Sequence, residues 1–116
     1  EMGIHRGLNL IEGTVDRFAE IDGRKIPHTG WNQLWFQSSN PILAGISPGD
    51  YVYFNHSYYC QPVDSTNSVT LTDYEQQFCS IVQHNNIFGV QFHPEKSQKV
   101  GLRILQNFLI LEEENL

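Results

Sequence analysis

The chain has 116 residues, enough for one modest hydrophobic core and too few for two. Its formal net charge of -6 and pI near 5.2, with seven Lys and Arg scattered along the chain, argue against a nucleic-acid partner. No apolar run approaches the roughly 20 residues of a membrane helix, and no charged-then-apolar leader follows the opening EMGIHRG. The expectation is an acidic, soluble, cytoplasmic protein, with residues 1–116 forming part of a single larger domain.

In chain order, LNLIEGTVDRF has β character, and the Asp-Gly in EIDGRKIPH is a turn signal that suggests a hairpin or meander. NQLWFQ reads as a short strand. SSNPILAGISPGD reads as a loop with one helical turn after Pro41. DYVYFNHSYY returns to strand, followed by SVTLTDY, QFCSIVQHN and NIFGVQF, with Asn85-Asn86 turning the last two. Ser97 is a candidate N-cap for a closing helix on which Val100, Ile104, Leu105, Phe108 and Leu109 form one apolar stripe. Glu112-Glu113-Glu114 sets negative charge at the negative end of that helix and predicts fraying. The fold class is α/β, a mixed sheet with a final strand-turn-helix.

Two cysteines, Cys60 and Cys79, show neither C-x-x-C spacing nor a metal-like Cys/His cluster. Reduced thiols in a core are the expectation, and no metal or organic cofactor is implied. Asn55-His56-Ser57 fits the glycosylation acceptor pattern by chance, in the absence of a secretory leader.

The chemistry gathers at the end of the last strand, in GVQFHPEKSQ. His93 and Glu95, two apart in an extended backbone, point to one side, and Pro94 biases His93 away from helix. A carboxylate that holds one imidazole nitrogen leaves the other able to take a proton from a nucleophile. On spacing alone a lone H-x-E is more often a solvated turn than a catalytic pair.

The stretch IFGVQFHPEKSQ resembles the final strand and turn of class I glutamine amidotransferases. That resemblance makes His93 the general base and Glu95 its orienting carboxylate, partnered with a cysteine that attacks the side-chain amide of glutamine. KIPHTGWNQ and YFNHSYY look like marker segments of the glutaminase subunits of imidazole glycerol phosphate synthases. By position this implies that Ser57 and Tyr58 contact glutamine, while Pro27, His28, Trp31, Asn32, Tyr53 and Lys96 face a cyclase (synthase) subunit with a (β/α)8 barrel. Taken singly, Trp31 and Trp35 also read as core or edge aromatics. His28 and His56 read as structural histidines donating to backbone carbonyls, and Lys96 as a solvated charge.

The family's nucleophile sits on a G-x-C-x-G elbow. Neither Cys60 nor Cys79 has the flanking glycines, so the resemblance implies the C-terminal part of the enzyme, inactive alone for want of the cysteine. Thr29 and Asn55 also depart from the family pattern, each polar where it has an apolar residue. Two other readings are open on these residues: an amidotransferase supplying ammonia to surface-sugar synthesis, and a non-catalytic binding domain.

Overall fold

The computed structural model describes residues 13–20 and 23–114. Among the described residues there are seven strands, β1 (Gly13–Arg17), β2 (His28–Gln33), β3 (Tyr51–His56), β4 (Tyr58–Pro62), β5 (Ser68–Asp73), β6 (Gln77–His84) and β7 (Ile87–Val90). They also include one α-helix, α1 (Gln98–Glu114), and short 3-10 turns at Pro41–Leu43, Ser65–Asn67 and Pro94–Lys96.

β6 organises the larger sheet. Its FCSIV stretch is buried residue after residue, as expected of a strand covered on both faces. β5 pairs along one edge of it, while β4 meets the other edge at Cys60↔Cys79 and β7 takes over that edge from Ile81 to His84. β1 completes the order β1-β4-β6-β5, and β2 and β3 form a separate two-stranded sheet. These pairings are antiparallel. Phe18, Phe54, Phe78 and Phe92 join Leu34, Val52, Ile81 and Ile104 in one core, with Phe18 edge-on to Phe78 at 5.5 Å. The α/β class and the closing strand-turn-helix are as expected.

Several local expectations are corrected. Asp22 of the turn signal lies outside the described residues, and β1 forms no hairpin with β2. It pairs with β4, Val15 opposite Cys60, a long-range choice invisible to local periodicity. The strand expected at NQLWFQ begins earlier, at His28, and ends at Gln33. The Leu34 amide turns to the Asp50 carbonyl (2.9 Å), and Trp35 makes an isolated bridge with Leu71. DYVYFNHSYY is two strands in two sheets, broken at Ser57, whose carbonyl accepts from the Phe18 amide at 3.0 Å. The helical turn after Pro41 is present, with the Asn40 side chain capping the Ile42 amide.

The buried face of α1 is Gly101, Ile104 and Asn107, flanked by Val100, Phe108 and Leu111. Leu105 and Leu109, expected in the apolar stripe, are 39% and 60% exposed. A polar residue takes the inner position because Asn107 Nδ2 donates to the carbonyls of Ile42 and Ala44, both at 2.8 Å, which satisfies the end of the 3-10 turn. The helix runs to Glu114. Its last carboxylates are exposed, where solvent reduces the dipole penalty to about 0.3–1 kcal/mol.

Candidate active site

β7 delivers the chain to His93 through Gln91, whose amide extends the β6 pairing to the Ser80 carbonyl (2.9 Å), and the buried Phe92. There the backbone is fastened to β3 at one residue. The His93 amide donates to the Tyr53 carbonyl at 2.9 Å. The Tyr53 amide donates to Ser97 Oγ at 2.9 Å, and that hydroxyl donates to the His93 carbonyl at 2.7 Å. Ser97 stands directly before the helix, as expected, and its carbonyl accepts from the Gly101 amide at 3.2 Å, but its side chain closes this clip and is almost fully buried. Gly101 packs directly beneath: a Cβ there would lie 2.0 Å from the Pro94 carbonyl oxygen. A small residue one turn beyond Ser97 was the available sequence signal for that close approach, and periodicity passed over it.

His93 itself is extended (φ -96°, ψ 99°), but Glu95 sits in the 3-10 turn Pro94–Lys96 rather than in extended chain. Pro94 at the first position of the turn has its φ preset for helical geometry and has no amide to satisfy. The turn still brings the side chains together, His93 Nδ1 to Glu95 Oε2 at 3.1 Å. Both groups are open to solvent, at 38% and 60% side-chain exposure. The Glu95 carboxyl is held below its ordinary range, chiefly by its own backbone amide and then by His93 and Lys96. An ionised Glu95 can only accept, so His93 Nδ1 carries the proton and Nε2 carries the lone pair. No partner to Nε2 is present among the described residues. An imidazole so held can accept a proton from a thiol placed within hydrogen-bond reach.

Ser57 and Tyr58 follow on from β3, four and five residues beyond Tyr53 and so about 13–17 Å along an extended chain. Tyr58 is 40% exposed. Of the residues expected to face a partner, Trp31, Tyr53 and Lys96 gather at one surface beside the turn. Trp31 and Tyr53 are cross-strand neighbours with their rings edge-to-face at 5.8 Å, and Lys96 Nζ lies 6.0 Å from the Tyr53 ring centre. Trp31, Tyr51, Ser97 and Val100 help to line an open depression of about 600 Å³ there. Pro27 is exposed. Asn32 is half-buried, its Nδ2 donating to the Asp73 carbonyl at 2.8 Å and its Oδ1 accepting from the Gln33 amide at 2.8 Å. The two departures from the family pattern, Thr29 and Asn55, are register partners joined by a side-chain hydrogen bond of 3.3 Å.

His28 is corrected: it presents no surface to a partner. It is 3% exposed, with its ring stacked on Tyr74 at 3.9 Å and on Phe54 at 4.8 Å. Its Nδ1 meets His56 Nε2 at 2.8 Å, and His56 Nδ1 donates to the Tyr58 carbonyl at 2.8 Å, the structural role the sequence suggested for such a histidine. Burial, and then the neighbouring His56, lower the His28 pKa to about 4, so its ring is neutral at physiological pH.

Neither cysteine is placed to attack a substrate. Cys60 and Cys79 are 2% and 4% exposed and face each other across β4 and β6. The adjoining Cys79 thiol and burial push the Cys60 thiol up, away from the reactive thiolate. Among the described residues no group of three or more His, Cys, Asp or Glu could hold a metal ion, and no helix is long and apolar enough to cross a membrane.

The sequence pattern of glutamine amidotransferase class-I matches residues 3–111. The chain belongs to that family. Among curated relatives, it is 50% identical to imidazole glycerol phosphate synthase subunit HisH of Aquifex aeolicus over 108 residues, 93% of this chain and 51% of the relative. The subunit of the same name from Syntrophotalea carbinolica is 48% identical over 113 residues (93% and 55%), and that from Natronomonas pharaonis is 51% identical over 106 residues (90% and 48%). The chain spans about half the length of the curated relatives it matches.

Proposed function

We propose that residues 1–116 are the C-terminal portion of a single amidotransferase domain that hydrolyses glutamine to glutamate and ammonia, with His93 as general base and Glu95 as its orienting carboxylate. One observation carries this reading: the 3.1 Å pairing of His93 Nδ1 with Glu95 leaves Nε2 unpartnered among the described residues and exposed at the end of a strand. A cysteine outside this chain is the nucleophile. His93 Nε2 takes the thiol proton as sulfur bonds to the amide carbon, then gives it to the departing ammonia, and water afterwards cleaves the thioester. Ser57 and Tyr58 hold the glutamine. No metal or organic cofactor takes part.

The relatives' shared name supports a partner as well. The ammonia passes to a (β/α)8-barrel cyclase subunit, where it enters the formation of imidazole glycerol phosphate and AICAR in histidine biosynthesis. Trp31, Tyr53 and Lys96 are the centre of the docking surface, with Pro27 and Asn32 at its margin. An exposed tryptophan packed on a half-buried tyrosine, with a cation beside them, is the kind of anchor that dominates interfaces. The complete protein, mixed with the cyclase subunit and given glutamine, is expected to release glutamate. His93→Ala is expected to abolish that release. Full activity in this variant would remove His93 from the mechanism, and failure of Trp31→Ala to weaken co-purification of the cyclase would remove the docking surface.

A further inference from the structure

Behind the reacting turn lies a chain of hydrogen bonds with a single allowed direction. The Tyr58 carbonyl can only accept, so the His56 nitrogen 2.8 Å from it, Nδ1, carries a proton. His56 Nε2 faces His28 Nδ1 at 2.8 Å. At the other end Asn32 Nδ2, which can only donate, lies 3.3 Å from His28 Nε2, so the neutral His28 ring carries its proton on Nδ1 and His56 Nε2 accepts it. Asn32 cannot flip, because its Nδ2 also donates to the Asp73 carbonyl and its Oδ1 accepts from the Gln33 amide. Backbone groups fix both ends, and both histidines are confined to the Nδ1–H tautomer in a pocket of Phe18, Phe54, Phe78 and Tyr74.

We propose that His56 is a positioning residue for the amide substrate: oriented by His28, it holds the Tyr58 carbonyl and so sets the path of the Ser57–Tyr58 segment. This rests on the glutaminase reading, in which that segment receives glutamine. His56 touches no reacting atom, so its loss acts on substrate binding ahead of chemistry. Loss of that donor leaves the carbonyl one hydrogen bond short inside the core, which displaces the segment and weakens glutamine binding.

The test uses the complete protein in complex with its cyclase subunit. Long-range proton–nitrogen spectra of ¹⁵N-histidine-labelled wild type should show His28 and His56 as neutral Nδ1–H tautomers. His56→Phe keeps a ring but removes the donor, and should raise the glutamine KM about tenfold with kcat within about threefold of wild type. His56→Asn restores a donor at the Nδ1 position and should bring KM back to within about twofold of wild type. An Nε2–H or imidazolium His56 in the wild type overturns the proposal even if the Phe variant proves unfoldable. So does an unchanged KM in a folded His56→Phe protein. A wild type that turns over no glutamine at all overturns the glutaminase reading instead, and the role of His56 in it, whatever tautomers are found.

Discussion

The protein holds two histidine pairings of almost equal length and opposite character. His93 and Glu95 meet at 3.1 Å on an exposed turn, and the far nitrogen of His93 has no partner among the described residues. His28 and His56 meet at 2.8 Å in the core, and both nitrogens of each ring are engaged. Distance to the first partner does not tell a base from a structural histidine. The second nitrogen does: where it is engaged, the proton has nowhere to go, and where it is open, the partnered nitrogen only fixes the tautomer.

The sharpest way to break this contrast is to exchange the consequences of the two sites. His93→Ala in the complete protein should lower kcat by about 10⁴-fold with only a small change in the thermal midpoint, because the side chain is half-buried and its partner Glu95 lies at the surface. A comparable loss of stability would mean that the exposed pair is structural after all. The next largest effect falls on the backbone beneath that pair. Gly101→Ala drives a methyl to 2.0 Å from the Pro94 carbonyl and 2.7 Å from Ser97 Cβ, so the helix must move off the turn. Urea unfolding should show about 3 kcal/mol of destabilisation, with activity reduced as well. A neutral result would mean that the turn yields easily and that the clip through Tyr53 and Ser97 does not fix His93.

The His93–Glu95 turn was legible in the sequence because its signals are local. A proline after His93 and a carboxylate two residues on need no distant partner to be understood, and the same holds for the strands from Ser68 to Val90 and the turn after Pro41. What was not legible depends on distant groups. β1 reaches across to β4, and Ser57 breaks a continuous β-like run because its carbonyl is claimed by Phe18. Asn107 lies inward because carbonyls 63 and 65 residues away require its amide, and it rotates the buried face of α1 off Leu105 and Leu109. The marker histidine His28 was read as a surface residue because marker residues gather at functional faces; its aromatic surroundings come from four separate strands and loops and leave no trace near it in the sequence.

The smallest expected effect tests the buried pair through its protons. Unfolded, His28 titrates near 6.5, and folded it titrates at about 4, because the core opposes charge. Between those two values the unfolded chain binds a proton that the native state refuses. Stability therefore falls as pH drops through this window, and His28 contributes no pH dependence above it. From pH 6.5 to pH 5 the loss should be on the order of 2 kcal/mol, read from urea midpoints of the complete protein. The Glu95 carboxyl is shifted away from this interval, held below the ordinary carboxylate range by its own backbone amide and by His93. His28→Phe, which keeps an aromatic ring between Tyr74 and Phe54, should flatten the slope over the same interval. If the variant keeps the wild-type slope, His28 is not held neutral by the core, and the distinction between an engaged and an open second nitrogen loses its thermodynamic support.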